Sequence, residues 1–221
     1  MRSTHVLTTV LLAALTLLVS LAPASSATKE ESFWAWFQAN EATLYSFERG
    51  DSAVTNELMN ELHKVHRKLS YEIWSPDDDG RRNFIVSADG YVEAFPEVEA
   101  LHDAAPKLPR WSITKFRPRE ILEEGKVVVT QDGVRQAGDM RYVLKIEEGM
   151  AVISLYLPGA ENRPSQANNY IARLHLLDFL GEEDFGLFVR QISVLDVTDE
   201  TYNLSKPIFK LPAEFDAAFK N

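Results

Sequence analysis

The chain has 221 residues, 33 acidic and 23 basic side chains, a net charge of −10 with histidine neutral, and no cysteine. This acidic balance repels nucleic acid and anionic lipid, so we expect neither as a partner. The lack of cysteine excludes disulfides, thiolate metal sites, a thiol nucleophile and the lipidated cysteine of a bacterial lipoprotein.

Residues 1–27 predict a secretory signal peptide. A basic start precedes an apolar run over residues 6–21, and Ser25 and Ala27 fit the small-x-small rule for cleavage after Ala27. The small residues Ala22 and Ala24 offer an earlier cleavage site. An uncleaved membrane anchor is the other alternative, although the run is short for a bilayer span. We therefore expect an exported protein, periplasmic or secreted, without membrane contact after cleavage.

Removal of residues 1–27 leaves 194 residues with 22 basic and 33 acidic side chains, a net charge of −11. This length suits one sizeable core, and we interpret residues 28–221 as a single domain. Residues 28–120 and 126–221 are candidate halves of that domain.

Two amphipathic helices are predicted at the start of the mature chain. The first, over residues 32–48, begins with a capping serine and has an apolar stripe of Phe33, Trp36, Phe37, Leu44 and Phe47. Aromatic residues in an exported protein suit carbohydrate stacking, but their helical spacing favours a core position. The second helix begins at Ser52, and its apolar positions are Val54, Leu58, Leu62, Val65 and Leu69.

Metal binding is a weaker hypothesis for this region. His63 and His66 lie on the second helix with Glu61, but zinc pairs more often use four-residue spacing and no second ligand cluster is visible. Residues 77–80, three aspartates and a glycine, lack the alternate ligand spacing of a calcium loop and favour a solvated turn. We predict no metal and no cofactor.

The stretch over residues 82–120 has the pattern strand, helix, strand. An apolar run over residues 84–86 is followed by the turn pair Asp89-Gly90, a helix with Pro96 in its first turn, and an alternating strand over residues 111–116. Residues 71–74 form a strand that pairs with the first of these as a hairpin. Because a helix joins the two strands, we predict that they are parallel.

The later chain repeats this order. Residues 140–147 and 150–157 predict a hairpin, residues 170–180 a helix that ends at Gly181, and residues 188–194 a strand. A strand over 126–130 and an amphipathic segment over 207–219 flank them. Residues 71–116 and 141–194 thus share the order strand, strand, helix, strand, through duplication or, as we prefer, through common α+β layering.

The predicted fold class is α+β. We expect a mixed, largely antiparallel sheet with one parallel βαβ crossover, helices packed on the sheet, and an N-terminal helical pair.

Three segments carry a resemblance: FWAWFQANEATLYSFE, FIVSADGYVEAFPEVEALHDAAPKLPRWSITKFRPR and LDFLGEEDF. Together they resemble a family of uncharacterised bacterial exported proteins over about residues 33–185. The resemblance implies a bacterial source and a single α+β domain. It implies no activity and no catalytic residues.

The best candidate site combines Ser87, Asp89, Arg117 and Arg119. They follow the two parallel strands, whose carboxyl ends meet at one edge of the sheet, where ligands commonly bind. Two guanidinium groups beside a hydroxyl suit a carboxylate or phosphate, with Asp89 orienting one of them. The alternative is a structural ion pair between Asp89 and Arg117 with a solvated Arg119, which is common at loop ends.

Catalytic signatures are weak in this sequence. There is no G-x-S-x-G motif, and the mature chain's four histidines fall on predicted helices. We therefore expect an exported, non-catalytic binding or interaction protein of the bacterial cell envelope, whose partner is a protein or a small anionic ligand. The alternative is a small hydrolase that uses acids and arginines at the edge between Ser87 and Arg119.

Overall fold

The computed structural model describes residues 26–46, 52–120, 127–130, 133–136 and 139–220. In this part of the chain the helices are α1 Lys29–Ala39, α2 Glu41–Tyr45, α3 Ser52–Val65, α4 Phe95–Asp103, α5 Ser165–Leu180, α6 Glu182–Phe188 and α7 Leu211–Phe219. The strands are β1 Ser70–Ile73, β2 Arg82–Ser87, β3 Trp111–Lys115, β4 Val127–Thr130, β5 Gly133–Gln136, β6 Arg141–Glu147, β7 Met150–Tyr156, β8 Val189–Leu195 and β9 Lys206–Pro207. The predicted signal segment before Ser26 and the predicted helix end near Gly50 lie outside the described residues.

The strands form two mixed sheets and a separate hairpin. In the first sheet, of order β1-β2-β3, strand β2 is antiparallel to β1 and parallel to β3. In the second, of order β8-β7-β6-β9, strand β7 is antiparallel to β6 and parallel to β8. The hairpin consists of β4 and β5. The predicted α+β class with a parallel crossover is confirmed, and the β7–β8 pair adds a second parallel connection.

The first sheet packs against α1, α3 and α4. The Phe84 ring of β2 lies 5.1 Å from the Phe37 ring of α1. The core position favoured for the aromatic stripe is confirmed, because Phe33 and Phe37 are buried in one cluster with Leu58, Leu62, Val98 and Leu101, and Trp36 packs against it. Trp34, which the helical pattern missed, is buried more deeply than Trp36 and donates its indole N–H to the Leu101 carbonyl at 2.7 Å.

The first helix begins before the predicted serine cap and is interrupted at Asn40. Thr28 is the N-cap: its hydroxyl accepts the Glu31 N–H at 3.1 Å, and the Glu31 carboxylate accepts the Thr28 N–H at 2.8 Å. Ser32 does not cap the helix but donates its hydroxyl to the Thr28 carbonyl. The predicted start was wrong because a capping box satisfies two backbone groups reciprocally, which one serine does not.

The second sheet packs against α5, α6 and α7. Its core consists of residues from β6 and β7, from α5 and from the C-terminal helix, including Tyr142, Ile153, Leu155, Leu176, Phe179 and Phe215. The predicted hairpin of β6 and β7 is confirmed, with Glu148 and Gly149 at positive φ in its turn. Helix α5 ends before Gly181, as predicted, and α6 follows at once.

Candidate functional site

The predicted site lies where the parallel strands β2 and β3 end. Their register pairs Phe84 with Ile113 and Val86 with Lys115, so both carboxyl ends reach one edge of the sheet. The chain then turns through Asp89 and Gly90, at φ values of 50° and 74°, before α4. Glycine and short polar residues adopt this left-handed conformation at low cost. The turn therefore holds the backbone N–H groups of residues 88–90 beside the strand ends.

Arg117 brings Ser87 and Asp89 together. Its guanidinium lies 2.7 Å from the Asp89 carboxylate and 2.8 Å from that of Glu72, and its Nε donates to the Ser87 hydroxyl at 3.2 Å. The predicted proximity of Asp89 and Arg117 is confirmed. Sequence reasoning missed Glu72, although its place between Tyr71 and Ile73, which pack on the core, assigns it to the opposite face of β1.

Arg119 does not join this group. It binds the Asp216 carboxylate of α7 through two bonds of 2.8 and 3.0 Å, and its Nε donates to the Leu180 carbonyl. Asp184 lies 3.2 Å from the same guanidinium. The bound guanidinium holds the pKa of Asp216 below its ordinary value. Ser87, Asp89 and Arg117 are therefore adjacent, as predicted. Arg119 instead connects the edge to the C-terminal helix.

The anion at this edge is the chain's own Glu182, the first residue of α6, whose side chain is fully buried. One carboxylate oxygen accepts the N–H groups of Ala88 and Gly90, at 2.6 and 3.1 Å. The other accepts the Arg117 N–H at 2.9 Å. Hydrogen bonds to an ionised carboxylate are strong, and three of them offset the cost of burying its charge.

Glu182 is the centre of a joint between the two halves. We define the joint as residues 88–90, residues 116–120 and the α5–α6 corner at residues 178–185. Backbone hydrogen bonds cross it from Glu182 to the Arg117 carbonyl at 2.9 Å and from Glu120 to the Asp178 carbonyl at 2.8 Å. Packing across it is close, because a Cβ on Gly90 would lie 2.6 Å from the Phe185 ring. The second half thus fills the edge where the sequence predicts a ligand.

The sequence signal for Glu182 is ambiguous. It begins the acidic triplet Glu182, Glu183 and Asp184, and acidic residues are common in the first turn of any helix because they complement its dipole. Glu183 is exposed and Asp184 belongs to the Arg119 group. Only the packing of α6 against the first sheet distinguishes Glu182 from its neighbours.

Ser87 and the charged groups at this edge contact one another. The described partners of the Ser87 hydroxyl are the Asp89 N–H and the Arg117 Nε, both of which are donors. No group of three histidine, aspartate and glutamate residues in the described ranges could hold a metal ion. His66, from the metal hypothesis, accepts the Lys68 N–H. The edge combines charged groups that neutralise one another.

A cleft of about 230 Å³ lies elsewhere, between the start of α1 and α3. Phe33 and Ser32 contribute to its wall. Its charged lining includes Glu61 and Lys64, which pair with each other at 2.6 Å, and Thr28 beside it caps α1. Its polar groups therefore have structural partners.

Comparison of the chain with protein-family models, with curated proteins and with solved structures finds no match. Within residues 26–46, 52–120, 127–130, 133–136 and 139–220, no helix is both long and apolar enough to cross a membrane.

Proposed function

We propose that this chain is an exported, non-catalytic binding or interaction protein of the bacterial cell envelope. The apolar run over residues 6–21 and the small residues that follow it support export. Ser26 and Ala27 are exposed, and Thr28 caps α1 immediately after them. Cleavage after Ala27 would therefore leave the capped helix whole. The resemblance to bacterial exported proteins supports the same location.

The filled edge is the observation that carries the non-catalytic part of the proposal. A nucleophilic serine needs a base that takes its proton, whereas the partners described for Ser87 are donors. Arg117 is neutralised by two carboxylates, and Glu182 is held by three backbone N–H groups. The groups that a small hydrolase would use thus hold the fold together.

Fractionation with N-terminal sequencing tests export. The full chain, expressed in a Gram-negative host with a C-terminal tag, should appear in the osmotic-shock fluid or the medium and begin at Thr28. Ala27→Leu with Ala24→Leu, which removes both candidate cleavage sites, should retain the chain with the membrane. A wild-type product that begins at Met1 and stays with the membrane after a high-salt wash would contradict export.

A substrate panel tests the absence of catalysis. The mature protein and its Ser87→Ala and Asp89→Ala variants are assayed on chromogenic carboxylic esters, phosphate esters and glycosides. We expect the wild type to give the same background rate as both variants. Turnover by the wild type that either variant abolishes would overturn the proposal in favour of the hydrolase.

A further inference from the structure

Arg173 of α5 is an arginine held in place by uncharged groups. Its guanidinium carbon lies 4.2 Å from the centre of the Tyr91 ring and 5.1 Å from the centre of the Phe185 ring. Its Nε donates to the Asp89 carbonyl at 2.7 Å. Ring faces and a carbonyl attract and orient the guanidinium. Lys68 and, to a smaller extent, Arg173 hold the pKa of Glu93 below its ordinary value, but Glu93 forms its ion pair with Lys68.

Arg173 differs from the arginines of the joint in its ion pairing. In the part of the chain that the structure describes, no carboxylate pairs with Arg173, and its two terminal nitrogens donate no hydrogen bond. Arg117 and Arg119 are each bound by two carboxylates. The chain has ten more acidic than basic residues, so it has enough carboxylates to pair with every arginine. Two terminal nitrogens on one fork have the geometry that binds a carboxylate bidentately.

The segments that hold Arg173 also carry exposed apolar side chains, and these come from both halves. Tyr91 and Val92, in the loop after β2, are 43% and 41% exposed, and Leu187 of α6 is 46% exposed. Gly186, next to Leu187, packs on Val92, because a Cβ there would lie 3.2 Å from a Val92 methyl group. Tyr170, one helical turn before Arg173, is 56% exposed. We call Arg173, Tyr91, Val92, Leu187 and Tyr170 the Arg173 patch.

We propose that the Arg173 patch docks an acidic segment of a partner protein. The terminal nitrogens of Arg173 bind one carboxylate side chain of that segment, and its neighbouring apolar side chains cover Tyr91, Val92 and Leu187. Tyrosine and arginine are the residue types that most often dominate binding energy at protein interfaces. The inference rests on the proposed binding function and adds the class of partner.

The charges around the patch favour a protein over a lipid surface. Lys68, the second cation over the Tyr91 ring at 4.8 Å, is already paired with Glu93. Membrane recognition uses several unpaired basic residues that act together, whereas this patch offers one.

Fluorescence anisotropy with a defined peptide panel tests the proposal. The probes are labelled hexapeptides in which a central Glu or Asp is flanked by Leu, Phe or Tyr, and each has a counterpart with Gln or Asn. The proteins are the mature wild type, Arg173→Gln, Arg173→Lys, Leu187→Ser and the control Arg190→Gln. Arg190 is an exposed arginine on β8 that pairs with Glu148, away from the patch. Thermal melts report whether each variant stays folded.

We expect the wild type to bind at least one acidic peptide about tenfold more tightly than its amide counterpart, as loss of a charged hydrogen-bonded pair implies. Arg173→Gln and Arg173→Lys should lose this preference, because neither offers a charged fork. Leu187→Ser, on the exposed rim, should weaken binding and keep the melting temperature. Arg190→Gln should bind like the wild type.

Three results would overturn the docking site: equal binding of acidic and amide peptides throughout the panel, an unchanged preference in folded Arg173→Gln, or binding to phosphatidylglycerol vesicles in place of peptides. None of them affects the evidence for export or the absence of turnover, so the proposed function would stand with its interface elsewhere. If the substrate panel shows turnover and the preference for acidic peptides still depends on Arg173, the non-catalytic proposal falls and the docking site stands.

Discussion

In the first half, β1, β2, α4 and β3 follow one another, with β1 antiparallel and β3 parallel to β2. In the second half, β6, β7, the helices α5 and α6, and β8 repeat this order and these directions. The loops after β2 and β7 also agree, because each passes through positive φ, at Asp89 and Gly90 or at Gly159, and then forms a 3-10 turn. The predicted shared order of elements therefore extends to strand pairing.

The halves differ in the carboxylate that lies at the end of the parallel strands. In the first half it is Glu182, which comes from the other half of the molecule. In the second half it is Asp196, which directly follows β8 and accepts the Thr198 N–H at 3.1 Å. Hydrogen bonds with the Glu161 carboxyl group, with Thr198 and with the Ala160 N–H hold the pKa of Asp196 below its ordinary value. One topology thus produces a joint in one place and a local turn in the other.

The largest effect should come from breaking the joint at its carboxylate. Glu182→Ala leaves three backbone N–H groups without their charged acceptor, and we expect it to lower the free energy of unfolding by about 3–5 kcal/mol. Urea unfolding measures the change. Glu183→Ala is the control, because that side chain is exposed, and it should change stability little. If Glu182→Ala costs no more than Glu183→Ala, the buried carboxylate does not hold the halves together.

Close packing at the joint predicts the next largest effect. Gly90→Ala combines a left-handed backbone with a Cβ 2.6 Å from the Phe185 ring, and should cost about 2–4 kcal/mol. The matched control is Gly149→Ala, at nearly the same φ but with nothing within 4 Å of the added Cβ, which should cost about 1–2 kcal/mol. Equal losses in the two variants would show that the Phe185 contact relaxes freely.

A smaller effect should come from the ion pair that the sequence predicts. The pair is partly shielded from water, since Arg117 is largely buried and Asp89 is only partly exposed. We therefore expect Asp89→Ala and Arg117→Ala each to cost about 1–2 kcal/mol. The double variant should be more stable than the sum of the single losses implies, since the pair is lost only once. Strict additivity in a double-mutant cycle would mean that Glu72 and Ser87 alone hold Arg117.

The smallest effect concerns pH and the Arg119 group. The pKa of Asp216 is lowered in the folded state, chiefly by its bonds to Arg119, so the folded protein favours the ionised form. Its contribution is therefore present above the ordinary pKa of about 4 and is lost as pH falls through the lower folded value. Melting temperatures of wild type and Asp216→Asn should differ at pH 6 and converge near pH 2. A gap that stays constant over this range would reject the assignment.

Local patterns in the sequence were sufficient for the α+β class, the β2–α4–β3 crossover and the proximity of Asp89 and Arg117. Alternation and helical spacing predict the elements, and the helical connection makes β2 and β3 parallel, which places the two strand ends at one edge. The joining helix and the turn at Asp89-Gly90 are short-range signals. Because these signals depend only on neighbouring residues, the folded chain keeps the elements that they predict.

The tertiary structure alone decided which residue fills that edge. Glu182, Glu183 and Asp184 are nearly equivalent as a sequence, but the packing of α6 buries the first, exposes the second and pairs the third with Arg119. Glu72 and Asp216 meet arginines 45 and 97 positions away in the chain. Such partners depend on how separate elements pack. No spacing rule along the chain contains that information, because the three-dimensional contacts that select one carboxylate exist only after the two halves have come together.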